Sequence, residues 1–159
     1  MARSPIHMRS ASIRAGTESR SYLARAWRVA ELVALRLALP SRVARKPLDA
    51  LLAELTPSFA PSGIAVQAAS SLRRDVLRVE SALRHVPWLA NTCLYRALAR
   101  YAMLRGAGMD ATFVMGLGPQ GVHDDGHAWV EVAGKPFEEA DDVSRFPVTF
   151  RYPPASKAC

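Results

Sequence analysis

Cys93 and His127 are the residues of this chain whose types and spacing best suit nucleophilic chemistry. Cys93 follows Asn91 and Thr92, which are good helix N-cap residues, and it precedes an apolar pattern with helical periodicity. Free backbone N–H groups in the first turn of a helix favour a thiolate, which is the nucleophilic form of cysteine. A histidine 34 residues later, on a predicted strand, could accept the thiol proton. The pair therefore predicts a cysteine hydrolase or an acyl transferase.

A β-hairpin is predicted for residues 127–139. Two runs of alternating apolar residues flank the dipeptide Ala133-Gly134, which is a turn signal. A three-residue loop that uses Gly134 as a left-handed bulge residue would pair Glu131 with Lys135. The length of this loop fixes the pairing of every residue that follows it.

The hairpin register decides which carboxylate lies beside the histidine. The bulged loop pairs His127 with Glu139 and stacks Trp129 on Phe137. A two-residue loop shifts the pairing by one residue and brings Glu138 to the face of His127 instead. We favour the bulged loop, so Glu139 is predicted to orient the imidazole as the third member of a triad.

Two strings of residues resemble a known family. They are Thr92-Cys93-Leu94-x-Arg96-Ala97-Leu98 and Gly126-His127-Ala128-Trp129-Val130-Glu131-Val132-x-Gly134. Together they resemble the transglutaminase-like leader peptidases of lasso-peptide biosynthesis. The resemblance implies a triad of a cysteine, a histidine and an acidic residue a dozen positions later. Those positions hold Cys93, His127 and Glu139, and Glu138 and Asp141 stay open for the third place.

The resemblance carries further expectations. It implies an α+β fold with a transglutaminase-like, papain-like cysteine protease core, in which N-terminal helices precede a small antiparallel sheet. It implies a bacterial cysteine peptidase, without a cofactor, that cuts a ribosomally made precursor peptide between leader and core. The resemblance implies a leader-binding module, either fused in front or supplied as a separate protein, and a macrolactam-forming cyclase that acts next. The helical pattern before Cys93 favours a separate leader-binding protein. An acyl transferase or amidase on the same triad, or a non-catalytic basic binding module, is the alternative.

The elements that must position these residues change in character along the chain. Helices are predicted at Thr17–Leu39, at Ser41–Leu55 with Pro47 resetting the start, at Val66–Val86 and at Cys93–Gly106. Pro40 is predicted to end the first helix, whose apolar face would contain Tyr22, Ala26, Val29, Ala30, Val33 and Leu37. Strands are predicted at Ala111–Leu117, in the hairpin and at Pro147–Tyr152. This order predicts one α+β domain over residues 17–159, which follows a flexible basic tail at residues 1–16. Within the domain, residues 17–86 are predicted to be helical, and residues 87–152 to hold the catalytic helix and the antiparallel sheet.

Composition and charge limit the classes of protein. Half of the 159 residues are hydrophobic, and no apolar run approaches the ~18 residues that a membrane span needs. Two cysteines and no signal peptide predict a reduced, cytoplasmic location. Residues 1–109 carry 17 Lys and Arg against 6 Asp and Glu. This part of the chain is either a solvated arginine-rich surface or a basic face that docks an acidic peptide or protein, and docking is predicted. Nucleic acid is not expected, because no basic strand with interleaved aromatic residues is present.

Two further residues are given structural roles. A zinc site with His123, His127 and an aspartate would need further ligands at a known spacing, so no metal is predicted and His123 is assigned to an exposed loop. Arg96 lies off the apolar stripe of its helix, which indicates a buried ion pair or a contact with a substrate carboxylate, and the ion pair is favoured.

Overall fold

The computed structural model describes residues 9–57, 66–118 and 126–154. Its helices are α1 (Arg9–Val43), α2 (Leu48–Leu55), α3 (Val66–Leu83) and α4 (Cys93–Gly106). Its strands are β1 (Ala111–Leu117), β2 (Gly126–Val132), β3 (Lys135–Pro136) and β4 (Val148–Tyr152), with a 3-10 turn at Val143–Arg145. Helices followed by an antiparallel sheet make this an α+β fold. No helix in the described ranges is both long and apolar enough to cross a membrane.

Helix α1 is longer than the sequence predicted. It begins at Arg9 rather than at Thr17, and it continues past Pro40 instead of ending there. Proline lacks an N–H group and so removes one helical hydrogen bond, but the Pro40 carbonyl still accepts from the Ala44 N–H at 3.2 Å. A proline this close to the C-terminal end therefore leaves the last turn intact. Residues 1–8 of the predicted tail lie outside the described residues.

The buried face of α1 also differs from the predicted one. Leu32, Arg36 and Leu39 are buried, whereas Tyr22 and Leu37 are 73% and 46% exposed. Apolar residues occur around much of the circumference of α1, so periodicity alone could not select the face. The buried face contains an arginine, which a search for an apolar stripe passes over.

The second and third helices follow the prediction more closely. Pro47 precedes α2, which begins at Leu48 and buries three leucines. Helix α3 buries Leu72, Val76 and Val79 and ends at Leu83, three residues before the predicted end. Helix α4 has the predicted bounds and lies between the sheet and the helices α1 and α2, so nearly all of its sides are buried.

The sheet has the order β3-β2-β1-β4, and all neighbouring strands are antiparallel. Phe113 pairs with Val130, and both enter the large core that the helices share. Val114 pairs with Trp129, and both join Phe146 in a smaller cluster. Alternate residues of β1 and β2 therefore belong to two different apolar clusters.

The predicted hairpin register is wrong. Val132 pairs with Lys135, so the loop has two residues and Glu131 does not pair with Lys135. Both loop residues have positive φ angles, 51° at Ala133 and 75° at Gly134. Two-residue loops of this kind match the twist of antiparallel strands. The bulged loop was favoured because it would stack Trp129 on Phe137 and place Glu139 beside His127, whereas the observed loop needs a positive φ that alanine rarely adopts.

Strand β3 is short because the chain leaves the ladder after Phe137. The Phe137 N–H still donates to the Val130 carbonyl at 2.7 Å, but Glu138 has a φ of 50°, in the left-handed region. Phe137 packs against the large core, whereas Trp129 belongs to the smaller cluster. The predicted stacking of Trp129 on Phe137 is therefore also wrong.

Candidate active site

Helix α4 places the cysteine where the histidine strand begins. The Thr92 side chain caps the helix by accepting from the Tyr95 N–H at 3.4 Å, so Cys93 is the first helical residue. Cys93 is a free, half-buried thiol. Its Sγ lies 3.8 Å from the carbonyl oxygen of Gly126, the residue directly before His127. The thiol and the start of the histidine strand are therefore in contact.

Two aromatic rings stack near the imidazole of His127. The ring of Trp129 stacks on it with centroids 6.0 Å apart, and the ring of Phe146 with centroids 5.0 Å apart. The interplanar angles are 21° and 23°, so the three rings are nearly parallel. Packing of this kind restricts the plane of the imidazole. The sequence held no signal that Phe146 would reach the site.

Gly116 permits the approach of Phe146. It pairs with His127 across the ladder, and a Cβ atom there would lie 2.7 Å from the Phe146 carbonyl oxygen. The adjacent Leu117 N–H donates to the Pro147 carbonyl at 3.2 Å, which holds this segment against β1. A glycine is therefore required at this position by close approach of a neighbouring backbone.

Two of the three candidate carboxylates lie near the imidazole. His127 Nε2 is 3.6 Å from Glu139 Oε1 and 3.9 Å from Asp141 Oδ2. The Glu139 side chain is 6% exposed, whereas that of Asp141 is 50% exposed. Glu138 forms an ion pair with Arg73 instead. The shortest distance is slightly longer than a hydrogen bond, as is common for catalytic contacts without a bound substrate.

Glu139 lies near His127 for a reason other than the predicted one. A two-residue loop followed by regular strand would bring Glu138 to the face of His127. The left-handed conformation of Glu138 interrupts the strand and turns that side chain to Arg73. Glu139, the next residue, then faces His127. The role of Glu139 as the orienter stays a prediction.

Arg100, which was not predicted from the sequence, is buried behind Glu139. Its Nε and Nη2 donate to both carboxylate oxygens of Glu80 at 2.8 and 2.7 Å, and its Nη1 lies 3.4 Å from Glu139 Oε2. Burial alone would lower the pKa of this guanidinium, but Glu80 and Glu139 raise it above its ordinary value. The buried ion pair was expected at Arg96 and occurs one turn later. The only sequence signal for Arg100 was its spacing of seven residues, about two helical turns, from Cys93.

A second buried arginine contacts the chain just before Cys93. Arg36 Nη2 donates to Asn91 Oδ1 at 2.9 Å and to the Ala90 carbonyl at 3.4 Å. Its Nε and Nη1 are buried without a hydrogen-bond partner among the described residues. Burial lowers the pKa of Arg36. This contact links α1 to the loop that leads into α4.

The same groups could bind a metal ion. Potential ligand atoms of His127, Glu139 and Asp141 lie within 4.8 Å of one another. Arg100 already contacts Glu139, and a second positive charge beside that carboxylate would be repelled. His123, the other histidine considered for zinc, lies outside the described residues.

Comparison with known proteins gives the family. A sequence profile described as Transglutaminase-like superfamily matches residues 33–151, which include Cys93, His127 and Glu139. The chain belongs to this superfamily, whose members are generally cysteine peptidases or acyl transferases. Its function is therefore of the cysteine protease or acyl transferase kind. Comparisons with curated proteins and with solved structures found no match.

Proposed function

We propose that this chain is a cysteine peptidase that removes the leader from a ribosomally made precursor peptide during lasso-peptide maturation. The observation that carries the proposal is the contact of Cys93 Sγ with the residue before His127, with Glu139 next to the Nε2 of the same imidazole. The substrate class rests on the resemblance of the cysteine and histidine strings to leader peptidases with a papain-like core.

The proposed reaction uses each nitrogen of the imidazole differently. Because Nε2 of His127 faces Glu139, Nδ1 is left to accept the proton of the Cys93 thiol. The thiolate attacks the scissile carbonyl, and the backbone N–H of Cys93 stabilises the oxyanion. The C–N bond then breaks, and the imidazolium gives its proton to the leaving amine.

Water completes the cycle. His127 takes a proton from a water molecule, which attacks the thioester and releases the new carboxylate and the free thiol. The charge of Glu139 stabilises the imidazolium in both half-reactions. The precursor peptide is the substrate, a separate leader-binding protein presents it, and a macrolactam-forming cyclase acts on the product in the cytoplasm.

Substitution of the nucleophile tests the proposal. Cys93→Ala should lower cleavage of the purified precursor by about four orders of magnitude or more, because no other group supplies the nucleophile. The assay contains the leader-binding protein and follows the products by mass spectrometry. Cys159→Ser is the matched control and should cleave normally. Near-normal cleavage by Cys93→Ala would refute a cysteine peptidase.

The mass of the leader fragment shows whether water or an amine attacks the thioester. Hydrolysis gives a free carboxylate at the new C-terminus, whereas transfer to an added amine gives an amide. A product that is mainly amide would make the protein an acyl transferase. Both outcomes require Cys93, so this measurement separates the two activities of the superfamily.

A chelator separates the thiol reaction from a metal-dependent one. Cleavage should survive EDTA and stop after treatment with iodoacetamide, because the proposed steps use only protein groups and water. Arg100 contacts Glu139 and places a positive charge beside it. The cluster of His127, Glu139 and Asp141 is therefore a poor cation site. Loss of activity in EDTA with recovery on added zinc would instead assign that cluster a catalytic metal.

A further inference from the structure

A cleft between α1 and α3 concentrates positive charge away from Cys93 and His127. It has a volume of about 290 Å³ and is lined by Arg25, Arg28, Ser71, Arg74, Asp75 and Arg78. One carboxylate thus lies among four guanidinium groups. The cleft gives a structural location to part of the basic excess in the N-terminal half of the sequence.

The cleft already binds one carboxylate, that of Asp75. The Asp75 side chain is buried, and its two oxygens accept from Arg25 Nε at 2.7 Å and from Arg28 Nη2 at 3.3 Å. The Nε of Arg28 is buried without a hydrogen-bond partner in the described part of the chain. The geometry of the α1 side therefore suits carboxylate oxygens.

Helix α3, which carries Asp75, also contributes two arginines to the cleft, Arg74 and Arg78. Arg74 and Arg78 are exposed and one helical turn apart on α3. Arg74 Nε donates to the Ser70 carbonyl at 3.4 Å, and neither arginine forms an ion pair with a described acidic residue. Guanidinium groups bind carboxylates through paired N–H donors, so these two side chains can receive an acid from another molecule.

We propose that this cleft binds an acidic segment of another polypeptide, with a carboxylate side chain seated between Arg74 and Arg78. A carboxylate is favoured over nucleic acid because no aromatic residue lines the cleft for base stacking. The arginines also form one compact group rather than a track along a backbone. The proposal concerns binding alone and does not depend on cleavage at Cys93.

Binding of a defined peptide tests the proposal. The probe is a short fluorescent peptide of alternating aspartate and serine, measured by fluorescence anisotropy with the full-length Cys93→Ala protein. Replacing both Arg74 and Arg78 with Gln should weaken binding about three- to tenfold, as expected for two partly exposed ion pairs. Binding should also weaken as salt rises to about 0.5 M.

A matched control variant and matched probes define the result. Arg84→Gln removes an exposed arginine just beyond the end of α3 and outside the cleft, so it should bind the peptide normally. The corresponding asparagine–serine peptide should not bind. Equal binding by the Cys93→Ala protein with and without the two arginine substitutions would overturn the proposal. So would tighter binding of a short single-stranded DNA through the same two arginines.

Discussion

Two buried arginines support the two sides of the candidate site, and their charges are compensated very differently. Arg100 contacts two carboxylates, one of which is Glu139 beside His127, and its pKa is raised. Arg36 donates hydrogen bonds only to an amide and a carbonyl before Cys93, and burial lowers its pKa although the charge of Glu80 acts to raise it. A buried charged side chain is stabilised mainly by an opposite charge in direct contact with it. The histidine side therefore depends on ion pairing, whereas the cysteine side depends on its helix cap and on packing.

The largest effect should come from removing the paired arginine. Arg100→Met leaves Glu80 and Glu139 buried without a cation, so we expect the free energy of unfolding to fall by about 3–5 kcal/mol. Arg36→Met is the matched control, because Arg36 forms no ion pair among the described residues and the nearby Glu80 keeps its contacts with Arg100. It should change the free energy of unfolding by about 1 kcal/mol or less. Urea denaturation measures both.

Equal losses in the two methionine variants would break the comparison between the arginines. Burial of the long side chain, rather than its ion pairs, would then determine stability. Arg100→Lys refines the result, since it keeps the charge and loses the planar fork that contacts both oxygens of Glu80. An intermediate loss is expected for that variant.

The next largest effect concerns the carboxylate that Arg100 and His127 share. Glu139→Gln should lower turnover of the precursor by about two to four orders of magnitude, because the imidazolium loses its charged neighbour. The fold should persist, since Arg100 keeps Glu80. Glu138→Gln should change turnover only a few-fold, because its carboxylate faces Arg73. A loss on Asp141→Asn as large as that on Glu139→Gln would assign the orienting role to both residues.

A smaller effect should follow from changing the packing behind His127. Gly116→Ala places a methyl group against the Phe146 backbone, and we expect a loss of about 1–3 kcal/mol in unfolding free energy together with slower turnover. Gly106→Ala is the control, since its methyl group would enter open space and alanine favours a helix. A harmless Gly116→Ala would show that Phe146 does not hold the imidazole in place.

The cysteine side of the site was predictable because its signals are local. Thr92 as the N-cap and Gly106 as the last residue bound α4 where the sequence placed it. Strand β1 likewise has the predicted bounds. In each case the residues that determine the element lie within it or next to it, so capping and periodicity were sufficient.

The histidine side was only partly predictable because it depends on backbone conformations that the residue types disfavour. Ala133 and Glu138 both have positive φ angles, although neither type favours the left-handed region. The first sets the loop length and the second changes which glutamate faces His127. Phe146 arrives through contacts between distant segments, which periodicity does not describe. The buried face of α1 was missed because it includes Arg36.

The ion pairs of Arg100 also join parts of the chain that are far apart in sequence. Glu80 belongs to α3, Arg100 to α4, and Glu139 follows the hairpin. If α3 opens locally, Arg100 loses its closest partner and the carboxylate beside His127 loses its support. Amide hydrogen exchange of α3 and of the chain around Glu139 should then share one opening free energy. A fragment beginning at Cys93 would contain all three candidate residues and yet lack Glu80, the closest ion-pair partner of Arg100.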